Sequence, residues 1–270
     1  MHEATDRGRA GLLRVACVSF LNSRPLIWGL EQDPGIELLL DVPARLIDRL
    51  RDATADVALL PSIDYQRLPG LRIVPSGGIG CDGHTLTVRI FSRRPMEQIR
   101  RLACDPDSHT SVALARIILA ERYGVRPEFV ELTRIGGTDE QARLLIGDKV
   151  VCEEPAGFEH QYDLGDEWKQ LTGLPFVFAV WMARPEAELG DLPVRLERAK
   201  QAGRQRVEQI IRQWALPRGW PAHLARQYLT EYLKYDIGPA QLRAMARFYE
   251  LAARHGVIDS PVPLRVYGAD

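Results

Sequence analysis

The order of apolar runs between residues 12 and 60 constrains the fold more than any other feature of the sequence. Leu12 to Ser19, Ile36 to Val42 and Val57 to Leu60 are short and rich in Val and Leu, as buried strands are. Between them, Pro25 predicts the first turn of a short helix, and Pro43 predicts the start of a second helix. This alternation favours a parallel α/β sheet, whose ligand-binding loops follow the carboxyl ends of the strands.

A glycine-rich segment, Gly77 to Gly83, ends this first set and predicts a turn at a boundary between two lobes. A second set of strands and helices follows and runs up to the apolar segment Phe176 to Met182. We expect the chain to leave the first lobe near Gly83 and to return along this segment, with the crossing strands as a hinge.

The predicted first lobe comprises residues 12–83 and 183–270, and the predicted second lobe comprises residues 84–182 with the crossing strands. A ligand cleft is expected between the two lobes. Long periodic segments from Leu192 onward predict a helical C-terminal part.

Composition excludes several classes of partner. Lys and Arg total 35 and Asp and Glu total 36, so there is no basic excess to bind nucleic acid. No apolar run approaches the ~20 residues that span a bilayer, so we expect no membrane role. The charged N-terminus, Met1 to Ala10, does not resemble a signal peptide, which favours a cytoplasmic protein. Nothing in the sequence indicates the oligomeric state.

The common cofactor and catalytic motifs are absent from the sequence. The sequence contains neither G-x-G-x-x-G after the first strand nor G-x-x-x-x-G-K-[ST], and it has no H-E-x-x-H or G-x-S-x-G. Cys17, Cys81, Cys104 and Cys152 are far apart and favour reduced thiols over a zinc site. We therefore expect no cofactor and no metal.

Hydroxyl side chains cluster where the sequence predicts the start of a helix. Ser108, Thr110 and Ser111 precede an apolar periodic segment, so their hydroxyls and the free backbone N–H groups would meet at the positive end of a helix. A carboxylate or phosphate would bind there. The alternative interpretation is an ordinary N-cap, which needs only one of these hydroxyls.

Two other candidate positions follow predicted strands. Ser19 and Asn22 come after the first strand, and Gly147 and Asp148 come after the apolar run ending at Ile146. Both places are where α/β proteins bind ligands. Asn22 and Asp148 could instead cap the helices that follow them.

Several of these segments together resemble one family, the chorismate dehydratases of the futalosine route to menaquinone. The motifs occur in the family's order and cover most of Val15 to Trp181. They are Ser19 to Leu26 (SFLNSRPL), Gly80 to Gly83 (GCDG), Ser108 to Val112 (SHTSV), Leu144 to Asp148 (LLIGD), Tyr162 to Trp168 (YDLGDEW) and Thr172 to Trp181 (TGLPFVFAVW). One segment departs from the family pattern, because Lys149 to Glu154 is more charged.

The resemblance implies an α/β, periplasmic-binding-protein-like fold of the second type, with two lobes around a cleft. It also implies a hydro-lyase that dehydrates chorismate to 3-[(1-carboxyvinyl)oxy]benzoate without a cofactor. We therefore predict Asn22 and Asp148 as catalytic residues. The predicted substrate-binding residues are Ser19, Thr87, Ser108, Thr110, Ser111, Gly147 and Phe176.

The general base stays open between a protein side chain, with Asp148 as the candidate, and the enolpyruvyl carboxylate of chorismate itself. Two other functions also stay open. One is 1,4-dihydroxy-6-naphthoate synthase of the same pathway, and the other is a non-catalytic solute-binding protein for a small anion.

Overall fold

The computed structural model describes residues 11–132, 141–153 and 156–269, apart from the side chain of Ala44. The segment Met1 to Ala10 and the residue Glu154, both used in the sequence predictions, lie outside this part. The strands are β1 (Leu13–Val18), β2 (Ile36–Asp41), β3 (Val57–Pro61), β4 (Arg72–Cys81), β5 (Val88–Ser92), β6 (Arg101–Cys104), β7 (Glu128–Glu131), β8 (Ala142–Ile146), β9 (His160–Asp163), β10 (Phe176–Ala183) and β11 (Leu233–Lys234). The α-helices are α1 (Pro43–Arg51), α2 (His109–Tyr123), α3 (Lys149–Cys152), α4 (Leu164–Thr172), α5 (Leu192–Gln205), α6 (Val207–Ile210), α7 (Ala222–Gln227) and α8 (Pro239–Arg254).

The first sheet has six strands in the order β11-β4-β10-β3-β1-β2. β1 pairs in parallel with both β2 and β3, as the strand–helix alternation predicts. Helix α1 packs its apolar residues Leu46, Ile47 and Leu50 into the core, where each is buried. We call this sheet and its helices the first lobe.

The second sheet has five strands in the order β7-β6-β8-β5-β9. β6 pairs in parallel with β7 and β8, whereas β5 is antiparallel to β8 and β9. Helices α2, α3 and α4 accompany this sheet, and together they form the second lobe. Both sheets present strand ends and loops to the space between the lobes.

The predicted turn over Gly77 to Gly83 is wrong, because residues up to Cys81 belong to β4. The glycines serve strand pairing instead of a turn. A Cβ on Gly78 would lie 2.6 Å from the carbonyl oxygen of Ala179, and one on Gly80 would lie 2.6 Å from that of Phe176. Only glycine lets β4 approach β10 this closely.

The chain leaves the first sheet at Cys81, enters the second at Val88, and returns through α4 to β10. β10 then pairs with β3 and β4 in the first sheet. The predicted division into residues 12–83 plus 183–270 and residues 84–182 stays a prediction. It places Phe176 to Met182 in the second lobe, whereas these residues belong to β10, which pairs in the first sheet.

Helix boundaries differ from the predictions in two places. A 3₁₀ helix spans Leu21–Leu26, so Pro25 lies near the end of a helix and not in its first turn. The C-terminal helices are interrupted by π-helical turns at Ile211–Ala215 and Tyr228–Tyr232. None of the helices in the described ranges is long and apolar enough to cross a membrane.

Candidate active site

A cavity lies between the two lobes, with about 580 Å³ of space that includes volume open to solvent. Residues at or just after the carboxyl ends of β1, β3, β6 and β8 line it, which is where α/β sheets bind ligands. No lysine or arginine is found among the described residues that line this cavity. The predicted residues on its wall are Asn22, Thr87, Ser108, Thr110, Ser111 and Gly147.

The start of α2 forms the polar wall on the side of the second lobe. Ser108 is the N-cap, and its Oγ accepts a hydrogen bond from the amide of Ser111 at 3.2 Å. The amides of His109 and Thr110 have no hydrogen-bond partner within the described chain. These amides form the positive end of the helix dipole, so this wall suits a carboxylate.

Thr110 also contacts the first lobe. Its Oγ1 accepts a hydrogen bond from the amide of Ile63 at 3.2 Å and lies 3.5 Å from Oγ of Ser62. Ser62 in turn donates to the carbonyl of Val177 in β10 at 2.7 Å. The predicted anion-binding helix start is therefore held against the loop that follows β3.

Neutral hydrogen-bonding groups face the cavity from the other side. Asn22 lies in the 3₁₀ helix after β1, and its buried Oδ1 has no hydrogen-bond partner in the described structure. Thr87 Oγ1 lies 2.8 Å from the hydroxyl of Tyr228. Burial raises the pKa of Tyr228, so its phenol stays protonated at neutral pH and keeps its hydrogen.

Gly147 shapes the wall beneath these groups. Its φ of +64° is a left-handed conformation, and a Cβ at this position would lie 3.3 Å from the ring of Phe20. Its amide donates to the carbonyl of Thr87 at 2.9 Å. The backbone conformation therefore favours glycine here, and a Cβ would also have to displace the aromatic ring beside it by a few tenths of an ångström.

The sequence prediction missed the role of His109, although this residue lies inside the predicted Ser108 to Ser111 segment. His109 lines the cavity, and its Nδ1 lies 2.9 Å from both carboxylate oxygens of Asp64. Asp64 is fully buried in the first lobe and also accepts from Arg67 at 3.1 Å. This contact joins the two lobes at the edge of the cavity.

Tyr228 was also missed, and no local signal marks it, because it lies in the C-terminal helical part. It reaches Thr87 across 141 positions of sequence. A contact at that separation follows from tertiary structure and is invisible to sequence periodicity.

Asp148 does not line the cavity. It lies behind Gly147 at the start of α3, where Oδ2 is 3.7 Å from Nε of Arg218. Burial raises the pKa of this carboxyl, although the amide of Leu21 and the charge of Arg218 oppose that effect. The catalytic role of Asp148 stays a prediction, and its side chain does not reach the cavity wall.

Ser19 and Phe176 also lie outside the cavity lining. The Ser19 carbonyl accepts from Arg24, and Phe176 is packed in the core with its ring centroid 5.2 Å from that of Trp168. Phe178 lines the cavity in place of Phe176. It lies at a register shift between β10 and β4, and such bulges redirect side chains.

One group of potential metal ligands occurs in the described part of the chain, away from this cavity lining. His84, Asp163 and Asp166 have ligand atoms within 4.8 Å of one another. Their atoms are already engaged, since Asp163 accepts from the amides of Thr85 and Leu86 and His84 Nδ1 lies 2.8 Å from Asp166. The cluster ties the start of α4 to the segment between β4 and β5.

The family model described as menaquinone biosynthesis matches residues 13–254. The chain belongs to this family. A relative in Thermus thermophilus, named chorismate dehydratase, is 29% identical over 230 residues, which is 77% of this chain and 84% of the relative. A Campylobacter jejuni relative with the same name is 24% identical over 241 residues, covering 86% of this chain and 93% of the relative.

Solved structures agree on the fold of this family member. A protein from Archaeoglobus fulgidus has a TM-score of 0.73 at 17% identity, covering 93% of this chain and 100% of that one. The periplasmic aliphatic sulphonate binding protein of Escherichia coli has a TM-score of 0.66 at 14% identity, covering 96% and 95%. The predicted periplasmic-binding-protein-like α/β fold is confirmed.

Proposed function

We propose that this protein is a chorismate dehydratase that converts chorismate into 3-[(1-carboxyvinyl)oxy]benzoate and water. One observation carries the proposal: the cavity has a helix start with free amides on one wall and neutral hydrogen-bonding groups on the other. Chorismate has two carboxylates and one ring hydroxyl, and these match the two walls. Family membership and the two relatives named chorismate dehydratase support it.

A substrate carboxylate would bind at the start of α2. The free amides of His109 and Thr110 would donate to it, and the hydroxyl of Ser111 lies on the same wall. Hydrogen bonds to an ionised acceptor are about twice as strong as neutral ones, so this wall would orient the whole ring.

Asn22 would hold the reacting part of the ring. Its Oδ1 is buried and unpaired, so a bound hydroxyl that donated to it would remove the cost of an unsatisfied acceptor. Thr87 and Tyr228 lie on the same side and would bind a second ring oxygen. These side chains are neutral, so they would position the substrate without competing for its proton.

The reaction removes the proton at C3 and the hydroxyl at C4. The electron pair of the C3–H bond becomes the new ring double bond as the C4–O bond breaks, and the net products are the benzoate and one molecule of water. Because the product ring is aromatic, orientation and proton transfer are the main tasks left to the protein.

We infer that the enolpyruvyl carboxylate, attached through oxygen at C3, accepts the proton. Asp148 is set back from the cavity lining, and Asp107 on the wall is hydrogen-bonded to Lys149 at 2.9 Å. His109 is held by Asp64, which suits binding and positioning. The substrate's own carboxylate thus has the shortest path to the C3 proton.

The deciding assay uses purified protein with chorismate and without added metal or nucleotide. We expect loss of the diene absorbance and appearance of the benzoate by mass spectrometry. Turnover of cyclised futalosine derivatives with no reaction on chorismate would point to 1,4-dihydroxy-6-naphthoate synthase. Saturable binding of chorismate without any product would point to a solute-binding protein.

Two variants and one analogue test the proton transfer. Asn22→Asp should lose most turnover while binding is partly retained, because a second negative charge would disturb the enolpyruvyl carboxylate. Asp148→Asn should keep turnover, and its complete loss with intact binding would make Asp148 the base. Chorismate amidated at the enolpyruvyl carboxylate should bind without reacting.

We further infer that the enzyme acts in the futalosine route to menaquinone and works in the cytoplasm. Deletion of its gene should make growth depend on menaquinone or on the added benzoate. Cell fractionation with an antibody against the native protein checks the location.

A further inference from the structure

The proposed substrate poses an electrostatic problem for this cavity. It has two negative charges, whereas no lysine or arginine occurs among the described lining residues. Asp107 lies on the wall beside the helix start, and Asp105 is buried directly behind it. Two carboxylates next to the predicted anion site would repel the substrate, because like charges at short range oppose binding strongly in a partly buried site.

Lys149 lies at the centre of these two carboxylates. Its Nζ is 2.8 Å from both side-chain oxygens of Asp105 and 2.9 Å from Oδ2 of Asp107. The three hydrogens of its ammonium group match these three oxygens. Lys149 begins α3, directly after Gly147 and Asp148, so the strand end that forms the cavity floor also supplies this cation.

The two carboxylates keep Lys149 in its charged form. Burial alone lowers the pKa of Lys149, but the hydrogen bonds with Asp105 and Asp107 outweigh burial and raise it overall. The lysine therefore stays charged at neutral pH. Asp105 Oδ1 also accepts from the amide of Asp107 at 3.1 Å, which fixes the turn that leads into α2.

We propose that Lys149 determines the specificity of the cavity for a dianion by offsetting one of the two negative charges that Asp105 and Asp107 place beside the α2 start. This inference rests on the proposed function. A purely structural clamp would also use these contacts, but it would affect neutral, monoanionic and dianionic ligands equally. Charge neutralisation predicts a loss of affinity that grows with the charge of the ligand.

The test measures direct binding, so it does not depend on turnover. Isothermal titration calorimetry compares 3-[(1-carboxyvinyl)oxy]benzoate, a dianion, with 3-hydroxybenzoate, a monoanion. Lys149→Met should weaken dianion binding at least tenfold and monoanion binding clearly less. Lys149→Arg should retain most of the affinity, and Lys149→Met/Asp107→Asn should recover much of it.

Kinetics add a second readout. Lys149→Met should raise KM for chorismate at least tenfold while kcat changes less than threefold, because the reacting groups are left in place. The matched control is Lys169→Met, since Lys169 pairs with Asp82 at 2.6 Å outside the cavity lining. It should change neither KM nor the affinity ratio.

Asp107→Asn provides a variant that leaves the lysine contact with Asp105 in place. With one carboxylate removed, Lys149 and Asp105 balance each other and the net negative charge of the cluster is gone, so dianion affinity should rise by about two- to fivefold. Equal losses for monoanion and dianion in Lys149→Met, or unchanged dianion affinity in Asp107→Asn, would overturn the proposal. If the wild-type protein binds the dianion as expected but makes no product, the proposed dehydratase activity fails while the role of Lys149 stands.

Discussion

The second lobe contains two helix starts that are capped in opposite ways. At α4, the Asp163 carboxylate accepts from the amide of Gly165 at 2.9 Å, and also from Thr85 at 3.1 Å and Leu86 at 2.7 Å. At α2, the Ser108 hydroxyl accepts from the amide of Ser111 alone. One helix start is filled by the protein's own carboxylate, and the other is the one that we propose for the substrate carboxylate.

The two helix starts lie in the same lobe but differ in what satisfies their free amides. A built-in carboxylate satisfies the orphan amides and the helix dipole permanently, so α4 serves to fix the segment between the sheets. A hydroxyl cap satisfies fewer amides and adds no charge, so an α2 start of this kind can accept an external anion. We therefore expect the residue at the N-cap to decide which of the two helix starts binds substrate.

The largest effect is expected from Ser108→Asp, which gives α2 the cap of α4. A fixed carboxylate would occupy the anion site, and repulsion of about 3 to 4 kcal/mol would weaken chorismate binding at least 100-fold. Thermal stability should stay the same or increase, since Asp is as good an N-cap as Ser. Calorimetry and thermal denaturation check both outcomes. The neutral control, Ser108→Asn, should lose far less affinity.

The reciprocal change, Asp163→Ser, should act on stability. Several amides would lose their acceptor, and the free energy of unfolding should fall by about 2 to 3 kcal/mol. Affinity for the substrate should change little at temperatures where the variant is folded. Chemical denaturation followed by circular dichroism provides the measurement. A variant as stable as the wild type would show that α4 needs no carboxylate cap.

Smaller effects are expected from the hydroxyls of α2. Thr110→Val or Ser111→Ala should weaken chorismate binding by about 1 to 3 kcal/mol through a lost charge-assisted hydrogen bond. Thr110→Val should also lower stability, because the amide of Ile63 loses its acceptor. Unchanged affinity in both variants would support an ordinary N-cap at this position. Titration calorimetry separates the two cases.

The smallest effect is expected at Asp166, a second acidic residue in the first turn of α4. Asp166→Asn removes a favourable interaction with the helix dipole and the hydrogen-bonded contact with His84. The free energy of unfolding should fall by about 0.5 kcal/mol, and KM should not change. A large rise in KM would mean that the start of α4 also contributes to substrate binding.

Local patterns were sufficient to predict the first three strands, α1 and the position of the α2 start. Each of these depends on nearby sequence: apolar runs, a proline at a helix start, and hydroxyls before a periodic segment. Gly77 to Gly83 was misassigned because glycine has two uses. A turn requires its flexibility, whereas β4 requires its missing side chain beside the carbonyls of β10, and only the paired strand distinguishes the two.

The residues of the candidate site also differ in whether local sequence was enough to find them. Asn22 and Gly147 follow strand ends, so local sequence was enough to place them on the cavity wall. Thr87 comes directly before β5 and was named only with the family resemblance. Tyr228 comes from a distant helical segment, and Asp64 reaches the cavity only through His109. Phe178 lines the cavity where Phe176 was predicted to do so. The register shift between β10 and β4 lies at Phe178, and sequence periodicity does not reveal such a shift.

The central position of β10 has a consequence for the order of folding. Its partners β3 and β4 are made about a hundred residues earlier in synthesis, yet the first sheet stays divided until β10 enters between them. The second lobe lies between these parts and pairs mostly with itself. Contacts between distant segments form late, so a nascent chain should complete the inserted lobe before the sheet that holds it.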